Sequence, residues 1–418
     1  MDQPSLLASS PADTIDSRSA ITNPADVLSS NLPVCLSSDG LFARPLTYAP
    51  LVPDFILREH HCALATDTRF RAAARLLSAL WREERGLPIG HHTDPVSGRP
   101  IKREKLGSRI TEKPAASGAT FVEPAIAAYA RQALLFREPG SVWEEARLWG
   151  NLLSSQTLTL NLLAPMALDL SFATRVWSRL LPDFVHQVTG IRFEHSPGRF
   201  ADRYFGDGTA FDALIDIVTP DGELAFIAIE VKFVEDMLSR PANHRSRYDE
   251  TARDCGLFGD PESLTLFRPG FEQLRREHVM AQLMVDQGLA SRGHFVLIGP
   301  RLNRRVAAAA KLYASELIDE EGKQPHSDGR ERVGFQHITL EDILDAMIGT
   351  GAGELAGKLA ARYTDFHRVV RHVLERFAKV PIAAFPSGNA RPAKPQPGIK
   401  AKPGTRKRKS RTSKSIVA

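Results

Sequence analysis

The stretch FIAIEVKF, Phe226 to Phe233, sets a glutamate and a lysine two residues apart inside an apolar run. Ile227, Ala228, Ile229, Val231 and Val234 surround the pair, and β-branched residues in that density read as a strand. Residues two apart on a strand share a face, so Glu230 and Lys232 emerge side by side while Ile229, Val231 and Phe233 enter the opposite layer. Burying a carboxylate and an ammonium there costs on the order of several kcal/mol per ion before their attraction is counted. A bound cation would compensate.

Working outward, the turn Thr219-Pro220-Asp221-Gly222 joins this run to FDALIDIV, Phe211 to Val218, which predicts a hairpin. Asp212 and Asp216 project from one face of the first strand, and either, placed beside Glu230 by the register, makes two carboxylates converge next to an ammonium. Strand parity alone does not separate the two. Hard oxygen ligands in that number suit Mg²⁺ or Mn²⁺. Such an ion can polarise a phosphate and activate water, and the lysine can stabilise the charge that develops, which is the chemistry of phosphodiester hydrolysis. The tripeptide is not informative by itself: Glu321-Gly322-Lys323 repeats it in the polar stretch IDEEGKQPHSDG, where it reads as a solvated loop.

The surrounding pattern supplies the context. Phe70, Ala74, Leu77, Leu80 and Trp81 fall at helical spacing over residues 70–85, and a polar stretch from Gly90 to Gly118 reads as a long loop containing His91-His92. Helical patterns follow over 121–163, broken at Pro139-Gly140, and over 171–188. The period then changes to that of strands at Ile191 to His195, 211–218 and 224–234. Residues 240–270 are polar, GFEQLRREHVMAQLMVDQG is an amphipathic helix, and HFVLIGP, His294 to Pro300, a buried strand. GFQHITL adds a strand, Thr339 and Asp342 form a capping box for the next helix, and a last helix is expected over 353–377. The fold class is α/β in the order helix, three strands, helix, strand.

Composition bounds the rest. Of 418 residues, 43% are hydrophobic, and no run of apolar residues is long enough to span a bilayer. The acidic N-terminus lacks a secretion signal, so the expected address is cytoplasmic, with no membrane partner. Cys35, Cys62 and Cys255 form neither a disulfide framework nor a zinc pattern. Residues 1 to about 40 hold nine Ser and four Pro and read as a disordered arm, with the ordered domain expected over 51–385. Residues 386–418 carry ten Lys or Arg and no acid, against a formal charge of +5 for the chain. The remainder holds 44 basic and 49 acidic residues, so the folded body is mildly acidic and a disordered tail supplies the basicity.

The segment FDALIDIVTPDGELAFIAIEVKF resembles the core of the PD-(D/E)XK nuclease superfamily, the restriction-endonuclease-like fold. LREHHCALATDTRF, LWREERGLPIG, NLLSSQTLTLNLL, FEHSPGRF, RYDETARDCGLF and FEQLRREHVMAQLM look like segments of an uncharacterised bacterial branch of it, so the resemblance runs from about Leu57 to Asn303. It implies an α-β-β-β-α-β core with a mixed central sheet flanked by helices, plus added N-terminal and C-terminal helices. It puts the first metal ligand at Asp212, with Asp216 the runner-up, the second at Glu230, a third at the main-chain carbonyl of Val231, and the catalytic lysine at Lys232. Gln273 and Arg276 fit the role of a Gln with a following Arg or Tyr on the next helix, and Arg247 and Tyr248 lie in a family-like block as candidates for substrate binding. Many members add a Glu from the first core helix. Asp169 and Asp183 sit near the ends of that helix here, so Glu194, Glu144 and Glu145 are the substitutes, and the number of metals stays open. Arg199, Arg203 and Arg245 flank the site in sequence as phosphate binders, and Asn151 to Gln156 as a substrate contact.

The function implied is a Mg²⁺- or Mn²⁺-dependent DNA endonuclease, whose basic tail adds affinity by counterion release and for which a homodimer would supply two sites for double-strand cutting. The alternative is an inactive nuclease-fold protein that binds nucleic acid or another protein. The acidic body argues against a broad positive groove, and the sequence displays no local one.

Overall fold

The apolar run around Glu230 becomes the middle strand of a five-stranded sheet. A computed structural model describes residues 45–94, 102–238, 244–320, 329 and 331–379. In chain order, α1 (Asp54–Glu59) and α2 (Arg69–Glu84) lead into a hairpin of β1 (Ile89–Asp94) and β2 (Lys102–Ile110). Five helices follow: α3 (Glu112–Ser117), α4 (Pro124–Leu135), α5 (Glu145–Gly150), α6 (Ser155–Leu168) and α7 (Leu170–Leu180). Next come β3 (Gln187–His195), β4 (Phe211–Val218), β5 (Leu224–Val231), α8 (Ser246–Asp254), α9 (Phe271–Asp286) and β6 (Arg292–Gly299). The chain continues through α10 (Arg304–Ala314), β7 (Gly334–Thr339), α11 (Leu340–Gly349), α12 (Gly353–Tyr363) and α13 (Phe366–Phe377). Residues through Val373 form one unit and Leu374 onward a second, of which residues 374–379 are described.

The sheet order is β3-β4-β5-β6-β7, antiparallel across β3, β4 and β5 and parallel across β5, β6 and β7. Every residue of β5 from Ala225 on is buried, as expected of a strand covered on both faces. On one face Leu214, Phe226, Ala228, Phe295 and Leu297 pack with Leu274 and Ala281 of α9 and Val306 and Tyr313 of α10. The other face, carrying Ile215, Ile227 and Ile229 by alternation, meets α6, whose residues from Thr157 to Ala164 are all buried. A helix apolar on all sides belongs inside, and α6 is such a helix.

The expected mixed sheet between helices is present, and Thr339 and Asp342 form the capping box. Four segments differ. Residues 90–118 hold the hairpin and α3 instead of a loop. β2 buries Leu106, Gly107, Ser108 and Ile110, an apolar pattern interrupted by a glycine and a serine, and α2 holds it: Arg82 Nε donates to Gly107 O at 3.0 Å and Arg75 Nη1 to Ser108 Oγ at 2.7 Å. The helix expected over 171–188 stops at Leu180, since Pro182 disfavours helical backbone before it, and β3 takes up the chain from Gln187. The expected last helix is two, interrupted at Thr364-Asp365, where Asp365 Oδ1 accepts from Arg368 N at 3.2 Å and starts α13. The polar span 240–270 also contains α8. The N-terminal 44 residues, the basic tail and the second Glu-x-Lys lie outside the described residues, while Ala49 is already buried and its carbonyl accepts from Arg69 Nε at 2.7 Å.

One consequence is measurable. His278 on α9 is fully buried, bonded to Tyr313 Oη (3.1 Å) and Val333 O (2.9 Å), and burial lowers its pKa from 6.5 to about 3. The unfolded chain therefore binds a proton between those values that the folded chain refuses, so this contribution is intact above about pH 6.5 and lost as pH falls toward 3. Urea midpoints should fall from pH 7 to pH 5, and His278→Gln should flatten the dependence. An unchanged pH profile in that variant would contradict the assignment.

Candidate active site

Three adjacent strands bring three carboxylates into one row. Phe193 pairs with Ala213 and His195 with Phe211, which puts Glu194 of β3 abreast of Asp212 of β4. Ala213 pairs with Ile229, so the next position sets Asp212 abreast of Glu230 on β5. Asp212 Oδ2 accepts from the N–H of Val231 at 2.8 Å, which fixes its carboxylate against the end of β5. Asp216 lies four residues along, opposite Phe226, and pairs with Arg192 at 2.6 Å on the rim. Of the two candidates that parity left open, the register brings Asp212 to Glu230 and leaves Asp216 with Arg192.

Glu230 is 3% exposed and its Oε1 is in contact with Lys232 Nζ. Gln273, reaching down from α9, ties the group together: its Oε1 accepts from Lys232 Nζ at 2.7 Å and its Nε2 donates to Glu230 Oε1 at 2.8 Å. The same Nε2 lies 2.8 Å from Oε1 of Glu277, one helical turn along and on the same face of α9. Glu277 is 1% exposed and its Oε2 has no partner among the described residues. Glu277 was not anticipated, although the i, i+4 spacing from Gln273 carried the signal.

This is an excess of buried acid over base. Burial, and then the Glu230 and Glu194 charges, push Asp212 well above the usual carboxylate range. Burial and the Glu230 charge do the same to Glu277. Burial lifts Glu194 up to about 7, with a hydrogen bond from Gln156 Nε2 opposing and Glu230 adding to the rise. Burial opposes the charge on Lys232, but Glu230, Glu235 and Glu277 outweigh it and hold the ammonium above its usual range. The donor set of Asp212, Glu230 and the Val231 carbonyl is all hard oxygen and short of positive charge, which fits Mg²⁺ or Mn²⁺. Among the described residues no three His, Cys, Asp or Glu side chains form a ready-made metal cage. Mg²⁺ keeps several waters and needs only one or two carboxylates, so this donor set meets its demand.

A sequence model described as the PD-(D/E)XK nuclease superfamily matches residues 65–365. The chain belongs to the PD-(D/E)XK nuclease superfamily. Comparison with curated proteins and with solved structures gives no match.

The other residues expected at this nuclease-fold site divide. Arg276 lies 5.3 Å from the ring centre of Tyr248, whose hydroxyl is bonded to Asp207, so these two sit together above α9. Arg247 turns away, to Tyr204 O at 3.4 Å and Glu250 at 3.8 Å. Arg199 is a strut: it donates to Glu194 O (2.7 Å) and Gly208 O (2.9 Å). Arg245 bonds Gly206 O at 3.0 Å, and Arg203 stacks on Tyr204. Glu144 pairs with Arg147, and Glu145 with Arg137. Asp169 caps α7 through Phe172 N at 2.9 Å. His91 and His92 lie on β1 opposite Lys105 and Glu104. Of Asn151 to Gln156, only Gln156 touches the row, through Glu194.

The bridging amide has a measurable worth. Gln273→Met keeps the volume but deletes hydrogen bonds to charged groups, and should cost about 2 kcal/mol or more in urea unfolding. Adding Glu277→Met should recover part of that loss, because the buried carboxylate left unpartnered is then gone. Strictly additive losses would contradict the network.

Proposed function

We propose that this chain hydrolyses phosphodiester bonds in nucleic acid, DNA first, with Mg²⁺ or Mn²⁺. The observation that carries the reading is the register that sets Asp212 abreast of Glu230 while Lys232 and Gln273 close on the same carboxylate. Asp212, Glu230 and the carbonyl of Val231 would hold the ion. When bound, the ion supplies charge stabilisation at the phosphate and lowers the pKa of water.

The chain's own residues divide the remaining work. Lys232 stays protonated at neutral pH, since its pKa is raised by three surrounding glutamates, so its role is a fixed positive charge facing the negative charge that develops on the phosphate. It is not a proton acceptor. Gln273 is a positioning residue that holds Glu230 and Lys232 in one geometry. Glu194, with a pKa near 7, is the carboxyl in the row best poised to take or give a proton at neutral pH. Arg276 of α9 and Tyr248 of α8, which lie against each other, would be contacts for the flanking backbone.

Incubating the full chain with plasmid and single-stranded DNA, with Mg²⁺, Mn²⁺ or EDTA, tests this directly. Metal-dependent strand cleavage is expected, falling by about 10²-fold or more in Asp212→Asn, Glu230→Gln and Lys232→Ala. Circular dichroism establishes that each variant is folded. Any change of the wild-type rate with pH between about 7 and 9 should vanish in Glu194→Gln, because Lys232 keeps its proton over that range. Cleavage that survives Lys232→Ala would end its assigned role, and DNA binding without cleavage under any metal would favour the inactive nuclease-fold alternative.

A further inference from the structure

The folded body is acidic by sequence, yet a ledge of positive charge with few acidic partners lies beside the proposed site. The chain leaving Lys232 is gripped from two sides: Arg71 of α2 donates Nε and Nη2 to Val234 O at 3.0 and 2.9 Å, and Asn303 donates to Phe233 O at 3.1 Å and Glu235 O at 3.0 Å. Those anchors bring the start of α2 and the start of α10 to the same edge of the sheet. There the ring of Tyr48, 55% exposed, has two guanidiniums near it, with Arg304 4.4 Å and Arg69 5.9 Å from its centre. Arg69 and Arg304 are both exposed, and among the described residues neither pairs with a carboxylate. Arg305, also exposed, reaches only Asp236, at 3.8 Å.

This arrangement is unfavourable by itself. Arg304 and Arg305 occupy the first two positions of an eleven-residue helix, the end where the helix dipole disfavours cations. No acid stands in that first turn, and the Asn303 side chain, bonded instead to Phe233 and Glu235, does not cap it. Arg69 and Arg304, gathered on one aromatic ring, have no carboxylate among the described residues, and the one beside Arg305, Asp236, lies 3.8 Å away. Phosphates spaced along a strand would supply an anion, and the Tyr48 ring, within cation–π reach of Arg304 and Arg69, keeps the two guanidiniums near one another to meet them.

We infer that the ledge of Tyr48, Arg69, Arg304 and Arg305 is the track on which the nucleic-acid backbone runs as it leaves the catalytic row. The inference rests on the nuclease reading above and adds where the substrate lies and how it is held: through phosphates, independent of base sequence. The contacts come from segments more than two hundred residues apart, so the sequence does not display them.

The test is fluorescence anisotropy of the full-length chain on short labelled DNA, single-stranded and duplex, of two unrelated sequences, in EDTA between about 50 and 200 mM salt. The basic tail is present throughout, so its contribution cancels. Arg69→Ala/Arg304→Ala should weaken binding equally for both sequences and make the slope of log affinity against log salt shallower by about 2. Arg69→Lys/Arg304→Lys should restore most of the slope, because counterion release counts charges. Melting temperature reports whether the variants remain folded. An unchanged slope in the alanine pair, with metal-dependent cleavage by the unsubstituted chain intact, overturns the track and leaves the nuclease reading standing. A chain that neither binds nor cuts these DNAs overturns both.

Discussion

A buried glutamate with more acidic neighbours than basic ones is the constraint around which the rest of this structure is arranged. Glu230 lies next to the end of a strand covered on both faces, and one ammonium, that of Lys232, faces Asp212 and Glu277 as well. Desolvated charges must be neutralised, by proton uptake or by a cation, and the raised pKa values of Asp212, Glu194 and Glu277 are the first of these responses. A divalent ion is the second. Binding one would exchange protons for metal on the same oxygens, so folding energy and metal affinity are linked at this point.

The sheet makes such a site affordable. Isoleucines on one face of β4 and β5 bury against α6, and the apolar cluster on the other face holds α9 in place, so Gln273 and Glu277 arrive without freedom to move. Rigid positioning of this kind suits electrostatic catalysis, in which groups must already point where charge develops. Strain sits here too: Glu194 adopts a left-handed backbone, φ 49°, which a non-glycine residue rarely takes up, and Arg199 fastens its carbonyl.

Much of this was legible before any coordinates. The hairpin turn, the middle strand as far as Val231 and the helix bearing Gln273 follow from periodicity and turn chemistry, because each is a local pattern with a strong signal, although the strand expected to run to residue 234 ends just before Lys232. Choosing Asp212 over Asp216 was beyond strand parity, since both share a face and only the register, fixed by the whole hairpin, separates them. The β1–β2 hairpin was hidden because Gly107 and Ser108 interrupt the apolar residues that β2 buries, and arginines of α2 hold that stretch in place. The basic ledge was hidden for the related reason that net charge sums over a chain and does not record which residues folding brings together.

Calorimetric titration of Mg²⁺ and Mn²⁺ into the full-length chain bears most directly on the central claim. Saturable binding that strengthens as pH rises, because the Asp212 carboxyl is held above the usual carboxylate range, and that disappears in Asp212→Asn and in Glu230→Gln, is what this arrangement of carboxylates predicts. Indifference to both ions, or binding that survives both substitutions, would contradict it.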